Sequence, residues 1–113
     1  MEKLERYRKI IKDALAYYLE IINQHPKPNK ETEVVFDEER DHYMLINTGW
    51  EQKRRIRGTT FYVRIRNGKF WIEEDWTDRG IVPELLAAGV PKEDIVLAFH
   101  APEMREYTEF ALA

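Results

Sequence analysis

Seven cations stand within residues 53–72: Lys53, Arg54, Arg55, Arg57, Arg64, Arg66 and Lys69, with no acid among them. Guanidinium and ammonium groups at this density suit phosphates, and Trp50 and Tyr62 nearby suit stacked bases. Lys53, Arg54, Arg55 and Arg57 are therefore candidate nucleic-acid contacts. The rest of the chain holds 11 cations against 21 acids, and acids crowd both flanks, with Glu31, Glu33, Asp37, Glu38, Glu39 and Asp41 before and Glu73, Glu74, Asp75 and Asp78 after. Strands of opposite charge can also neutralise one another across a sheet, at about 0.2–1 kcal/mol per pair. The net charge of −3 and a pI of about 5.7 favour that second reading over a dedicated DNA binder.

Other chemistry finds less support. His25, His42 and His100 have no close helical spacing, and the chain contains no cysteine to complete a zinc site. Serine is absent, which removes a Ser-His-Asp site, and a threonine substitute has no supporting motif. The five glycines, at 49, 58, 68, 80 and 89, are isolated and form no phosphate-cradling loop. Glu73 and Asp75 share a face if their strand is regular, with Lys53 or Lys69 within reach, which outlines a magnesium-dependent nuclease but does not fix convergence. No catalytic residue, metal ligand or cofactor is expected.

The elements that position these residues follow from periodicity. Leu4, Tyr7, Ile11, Ala14, Leu15, Tyr18 and Ile22 predict one amphipathic helix over residues 2–24, with Glu5, Arg8, Lys12 and Glu20 on the opposite face. His25-Pro26-Lys27-Pro28-Asn29 ends it. Residues 32–75 predict an antiparallel meander: Val34-Val35-Phe36, a turn over Asp37–Asp41, Tyr43–Ile46, and a third strand over Arg54–Arg66. Asn67-Gly68 closes a two-residue hairpin. It pairs Arg66 with Lys69, Ile65 with Phe70, Arg64 with Trp71, Val63 with Ile72 and Tyr62 with Glu73. Phe61, Val63, Ile65, Phe70 and Ile72 then form the face on which the helix lies. Ile56 has the wrong parity for that set, which calls for a bulge near Gly58.

Beyond the meander, Thr77 or Asp78 is expected to cap a helix running to Ala88, with Pro83 in its first turn and Gly89 as its left-handed stop. Ile95–Phe99 is expected as a buried strand. Met104, Tyr107, Phe110 and Leu112 are expected to pack the tail.

At 113 residues the chain is one domain's worth. Folding takes its surface from roughly 19,700 Å² to roughly 6,600 Å², enough burial for one core without staples. The longest apolar runs are about five residues, too short to span a membrane. A charged N-terminus that enters a helix directly is not a signal peptide. The expectation is a soluble, cytoplasmic, single α+β domain over residues 1–113: a long N-terminal helix packed on an antiparallel meander of four to five strands, with short C-terminal helices.

Asp41-His42-Tyr43, Gly49-Trp50, Lys53-Arg54-Arg55, Gly68-Lys69, Trp71-Ile72 and Gly80-Ile81 carry a further resemblance. It continues through Ala88-Gly89-Val90-Pro91, Asp94-Ile95-Val96-Leu97, Phe99-His100, Pro102-Glu103 and Tyr107-Thr108-Glu109-Phe110-Ala111. Over nearly its whole length the chain resembles the XisI family, named for the fdxN element excision controlling factor of cyanobacteria. It departs at Ala101, where the family commonly has proline. The resemblance implies a small α+β regulatory protein without enzymatic activity. It would act with a partner, XisH, in controlling DNA excision by a separate site-specific recombinase. XisH is similar to restriction-endonuclease-like nucleases, so restraint of such a nuclease is the alternative role. DNA would be contacted directly or through the complex. The family supplies no established catalytic residues.

The hairpin pairing suggests a place for the partner. Tyr62, Arg64 and Trp71 lie opposite the helix-packed core, and they are residue types that dominate binding hot spots. Two outcomes are open. Either this trio is an exposed patch for an XisH-like protein or a homodimer, with Arg64 stacked on Trp71, or the tail folds over it through Phe99, Tyr107 or Phe110.

Overall fold

The structure, a computed structural model, describes residues 2–113. Helix α1 (Glu2–Asn23) is followed by strands β1 (Lys30–Asp37), β2 (His42–Glu51), β3 (Arg54–Arg66) and β4 (Lys69–Asp75), helix α2 (Val82–Ala87) and strand β5 (Ile95–Val96). Two 3-10 helices, Lys92–Asp94 and Pro102–Tyr107, flank β5 in sequence. The strands form one sheet in chain order, antiparallel through β4, with β5 added parallel to β4. This is the expected α+β architecture, and no helix among the described residues is long and apolar enough to cross a membrane.

The apolar stripe of α1 explains the packing. Tyr7, Ile11, Ala14 and Leu15 are buried against Tyr43, Leu45, Phe61, Val63, Ile65, Phe70 and Ile72 of the sheet. Tyr7 stacks on Phe70 with ring centroids 4.7 Å apart, and Tyr18 packs on Phe61 at 4.8 Å. Ile81, Leu85, Val90 and Ile95 extend the same core. Gly89 takes φ +93° and stops α2, with the Val90 amide donating to Leu85 O as the chain turns.

Two bulges shape the sheet. Between β2 and β3 the register slips so that Leu45 faces Phe61 but Ile46 faces Thr59, leaving Thr60 as the extra residue. This is the expected reset, two residues beyond Gly58, and it brings Ile56 to the helix side. There Ile56 lines a groove of about 570 Å³ with Ile22 and Pro26. The second bulge departs from a regular ladder. Val63 faces Ile72, but Tyr62 faces Glu74, so Glu73 is the unpaired residue.

Helix α2 starts later than the capping pattern suggests, because Thr77 serves another turn. Asp75 accepts bonds from the Thr77 amide (3.2 Å), the Thr77 hydroxyl (2.9 Å) and the Ile81 amide (2.7 Å). The Gly80 amide donates to Thr77 Oγ1 at 2.9 Å, and Tyr18 of α1 donates to Gly80 O at 2.9 Å. The loop is thereby consumed in tying α1 to the sheet's end, and α2 begins at Val82 without a side-chain cap, with Pro83 in its first turn.

Two polar anchors fix the helix at its edges. Arg8 makes a forked contact with Asp41 (2.8 and 3.1 Å), which also accepts from Tyr43 Oη at 2.7 Å. Tyr7 Oη donates to Asp94 at 2.5 Å, and Lys3 Nζ lies 2.9 Å from the same oxygen. Burial pushes both carboxyls up. The bonds from Arg8 and Tyr43 to Asp41, and from Tyr7 and Lys3 to Asp94, outweigh it and hold each below the ordinary 3.8. Tyr7 is pushed up to about 12, by burial first and by Asp94 second, and Tyr43 is raised in the same way by burial and Asp41. Stability from the carboxylates is therefore complete above 3.8 and lost as pH falls below it. That from Tyr7 is complete below 10 and lost as pH rises toward 12. Calorimetric melting temperatures should be level near neutrality and fall on both sides; undiminished stability at about pH 2.5 would contradict the carboxylate anchors.

Candidate partner and nucleic-acid interface

Strand alternation sorts the sheet's residues. Tyr43, Leu45, Phe61 and Val63 point to α1, so His42, Met44, Ile46 and Thr48 of β2 and Tyr62 and Arg64 of β3 point the other way. Glu33 and Val35 of β1 join this outer face opposite Ile46 and Met44. After the bulge resets parity, Arg55 and Arg57 lie on it as well, opposite Trp50 and Thr48. Two groups that looked separate in the sequence, the Arg55–Arg57 pair and the Tyr62–Arg64 pair, thus lie along one strand of one face.

At the far end of β2 and β3 the chain turns through Gln52 at φ +57°. Lys53, Arg54, Arg55 and Arg57 are all exposed around this tip. Arg55 and Arg57 are on the outer face, whereas Arg54, one residue from each neighbour's parity, is on the helix side. The Arg55 guanidinium sits 5.1 Å from the centroid of the half-exposed Trp50 ring, and its Nη1 donates to Gly49 O at 3.4 Å. Gly49 is required by a close approach: a Cβ there would lie 2.3 Å from Asn29 O, the acceptor of the Trp50 amide. Cross-strand neutralisation does not reach the tip. Glu51 faces Arg54 but pairs with Lys30 at 3.5 Å, and no ion pair among the described residues includes Lys53, Arg54, Arg55 or Arg57.

At the other end of the face, Trp71 does not join an exposed patch. It is 9% exposed, and its Nε1 donates to Arg66 O at 3.0 Å. Arg66 and Arg105, rather than Arg64, lie over its ring, at 5.1 and 5.7 Å from the centroid. Arg105 is also the clamp of the C-terminal segment, donating to His100 O (3.1 Å), Ala98 O (3.3 Å) and Leu112 O (3.3 Å). Arg64 turns instead toward Glu73, 3.9 Å away. The tail therefore covers Trp71, but through an arginine and not through the expected aromatics. Phe99, Met104, Tyr107 and Leu112 remain exposed, and only Phe110 packs on the core, which corrects the expectation of a packed tail.

Tyr62 and Arg64 stay half-exposed. Tyr62 Oη lies 2.7 Å from His42 Nδ1, with the two rings stacked at 5.8 Å. The acids considered for nuclease chemistry separate. Asp75 faces Phe61 on the helix side and is occupied by its loop, while bulged Glu73 reaches Arg64 on the outer side. Among the described residues no group of three or more His, Asp or Glu side chains is placed to hold a metal ion. The half-exposed Met44 and Ile46 and the exposed Val35 were not singled out from sequence, although their alternation with Tyr43, Leu45 and Val34 was the available signal.

The comparisons agree with this fold over the full chain. The profile of the XisI protein family matches residues 1–112. The crystal structure of the fdxN element excision controlling factor XisI from Anabaena variabilis ATCC 29413 is 42% identical, covering 98% of this chain and 99% of that one, with a TM-score of 0.87. A XisI-like protein from the same organism is 35% identical over 97% of this chain and 99% of its own, with a TM-score of 0.90. No curated protein matches significantly. A full-length profile match and this identity over nearly complete chains establish that the protein belongs to the XisI family.

Proposed function

We propose that this protein is a non-enzymatic, cytoplasmic regulatory subunit that acts with an XisH-like partner in controlling excision of a DNA element by a separate site-specific recombinase. The observation that carries this reading is its likeness, at 42% identity over nearly the whole of both chains, to a protein described as an excision controlling factor. The dispersal of its carboxylates and histidines fits a role exercised by binding. Co-expression with an XisH-like protein, followed by affinity purification of one component, should recover both. Failure of the two to co-purify at any salt concentration would count against the partnership. A complex that suppresses DNA cleavage by the partner, with no effect on excision, would favour the alternative role as a nuclease restraint.

A second reading, direct DNA contact, is favoured by the unneutralised cations at the β2–β3 tip beside a half-exposed tryptophan. Each phosphate neutralised adds about 0.9 to the slope of log affinity against log salt. The double variant Arg54→Ala/Arg55→Ala should therefore weaken DNA retention and reduce that slope by about 2. Retention and slope unchanged from the parent would remove the tip from any DNA-contact role.

A further inference from the structure

The outer face of the sheet is patterned in columns. β1 contributes an acidic column, Glu31, Glu33 and Asp37, broken by Val35. β2 contributes one that is apolar at Met44 and Ile46, flanked by His42 and Thr48 and ending in the exposed Trp50, and β3 a basic one, Arg57 and Arg64, with Thr59 and Tyr62 between them. The rows align across the three strands: Glu31–Thr48–Arg57, Glu33–Ile46–Thr59, Val35–Met44–Tyr62 and Asp37–His42–Arg64. Val35 is 38% exposed and Trp50 50%, while Met44, Ile46 and Tyr62 are half-exposed. The order acid, apolar, base across a sheet face is self-complementary under one symmetry operation.

We infer that a second copy of this chain docks on the outer face, sheet against sheet, about a two-fold axis parallel to the strands and lying over β2. That rotation exchanges left and right without exchanging the ends of the strands. It sets the partner's β1 over β3, β3 over β1, and β2 over itself. Apolar Met44 and Ile46 then meet their own copies, Val35 meets Tyr62, and Glu31 meets Arg57, as an isologous interface requires. Asp37 meets Arg64 in the same way. A two-fold axis across the strands would instead stack the acidic column on itself and the basic column on itself, which like-charge repulsion disfavours. Packed sheets lie about 10 Å apart and cross at about −30°, so the register is closest in the two central rows, where Glu33 meets Thr59 and Val35 meets Tyr62, and loosens toward the ends.

The charges available for this contact are those the fold leaves unused. Neither Glu31, Glu33 nor Arg57 takes part in an ion pair among the described residues. Asp37 is held by Arg40 at 3.3 Å and Arg64 by Glu73 at 3.9 Å, so Glu31 with Arg57 is the pair with most to gain. Three strands make a small face, which sets the expected dissociation constant in the micromolar range rather than that of a permanent dimer. The axis also brings both β2–β3 tips, with Lys53 and Arg54, to the same end of the assembly.

Sedimentation velocity over a concentration series tests this. The parent should pass from monomer to dimer at roughly 1–100 μM, the range in which small interfaces associate. Ile46→Arg, at a half-exposed position where folding is checked by circular dichroism, should abolish the dimer. Glu31→Arg and Arg57→Glu should each weaken it about tenfold, and the double variant Glu31→Arg/Arg57→Glu should restore it, because the exchanged columns are again complementary. A parent that is monomeric throughout overturns the inference. So does a dimer indifferent to Ile46→Arg, or a double variant no stronger than the singles.

Discussion

Replacing Trp71 with alanine is expected to cost about 3–5 kcal/mol of unfolding free energy, the usual penalty for truncating a buried aromatic. The ring is 9% exposed, has the Arg66 and Arg105 guanidinium groups 5.1 and 5.7 Å from its centroid, and donates its indole proton to Arg66 O. Its loss removes the surface on which Arg105 rests while that residue gathers the carbonyls of Ala98, His100 and Leu112. Two readouts should therefore move together: the urea midpoint should fall, and amides of residues 98–112 should exchange faster than those of α1. Arg105→Ala separates them, since it should release the tail while leaving the main core of α1 and β1–β4 intact. A Trp71→Ala protein of near-parental stability would mean that the indole faces solvent and is free to serve a partner.

Substituting Asp41 by alanine should be the next largest effect, about 2–3 kcal/mol, because the buried end of Tyr43 is left with a hydroxyl and no acceptor. Tyr43 is fully buried, and Asp41 Oδ1 is the atom that receives its proton. Arg8 loses its forked partner in the same variant, but it can regain water. Asp41→Asn keeps an acceptor for Tyr43 and should recover part of the loss. Chemical denaturation of both variants beside the Tyr43→Phe protein checks the assignment. In a Tyr43→Phe background Asp41→Ala should cost much less, and full additivity would show that the hydroxyl bond contributes nothing.

Asp41 also shows what a sequence reveals and what it conceals. Its place at the end of a turn was legible from the run Asp37–Asp41 between two apolar strands. Its bond to Arg8 was not, because that contact spans 33 positions and depends on how α1 lies on the sheet. The helix itself and its buried face were legible because seven apolar residues keep a helical spacing over five turns. The Asn67-Gly68 hairpin fixed four pairs correctly for a local reason, positive φ at both positions, 54° and 74° here. The fifth pair failed at Glu73, where three consecutive acids give no alternation from which a bulge could be detected.

The site followed the same division. Exposure of Lys53, Arg54, Arg55 and Arg57 follows from a turn of charged residues. The alignment of Arg55 and Arg57 with Tyr62 and Arg64 depends on the extra residue at Thr60, whose hydroxyl accepts from Asn47 at 2.6 Å and whose carbonyl accepts from Trp76 at 3.1 Å. The tail misled for a different reason. Phe99, Met104, Tyr107 and Leu112 are apolar but lack any periodicity, and the residue that closes over Trp71 is Arg105, which composition marks as a surface cation.

The proposed regulatory role without catalysis makes a direct demand on a reconstituted excision reaction. Purified recombinase and a plasmid carrying the element's two ends would be incubated with this protein alone, with an XisH-like partner alone, and with both. Excised circles should change in amount when both proteins are present, remain at the recombinase's own level with either alone, and vanish when the recombinase is omitted. Excision that is the same with and without this protein, or strand cleavage by this protein by itself in the presence of magnesium, would contradict the account.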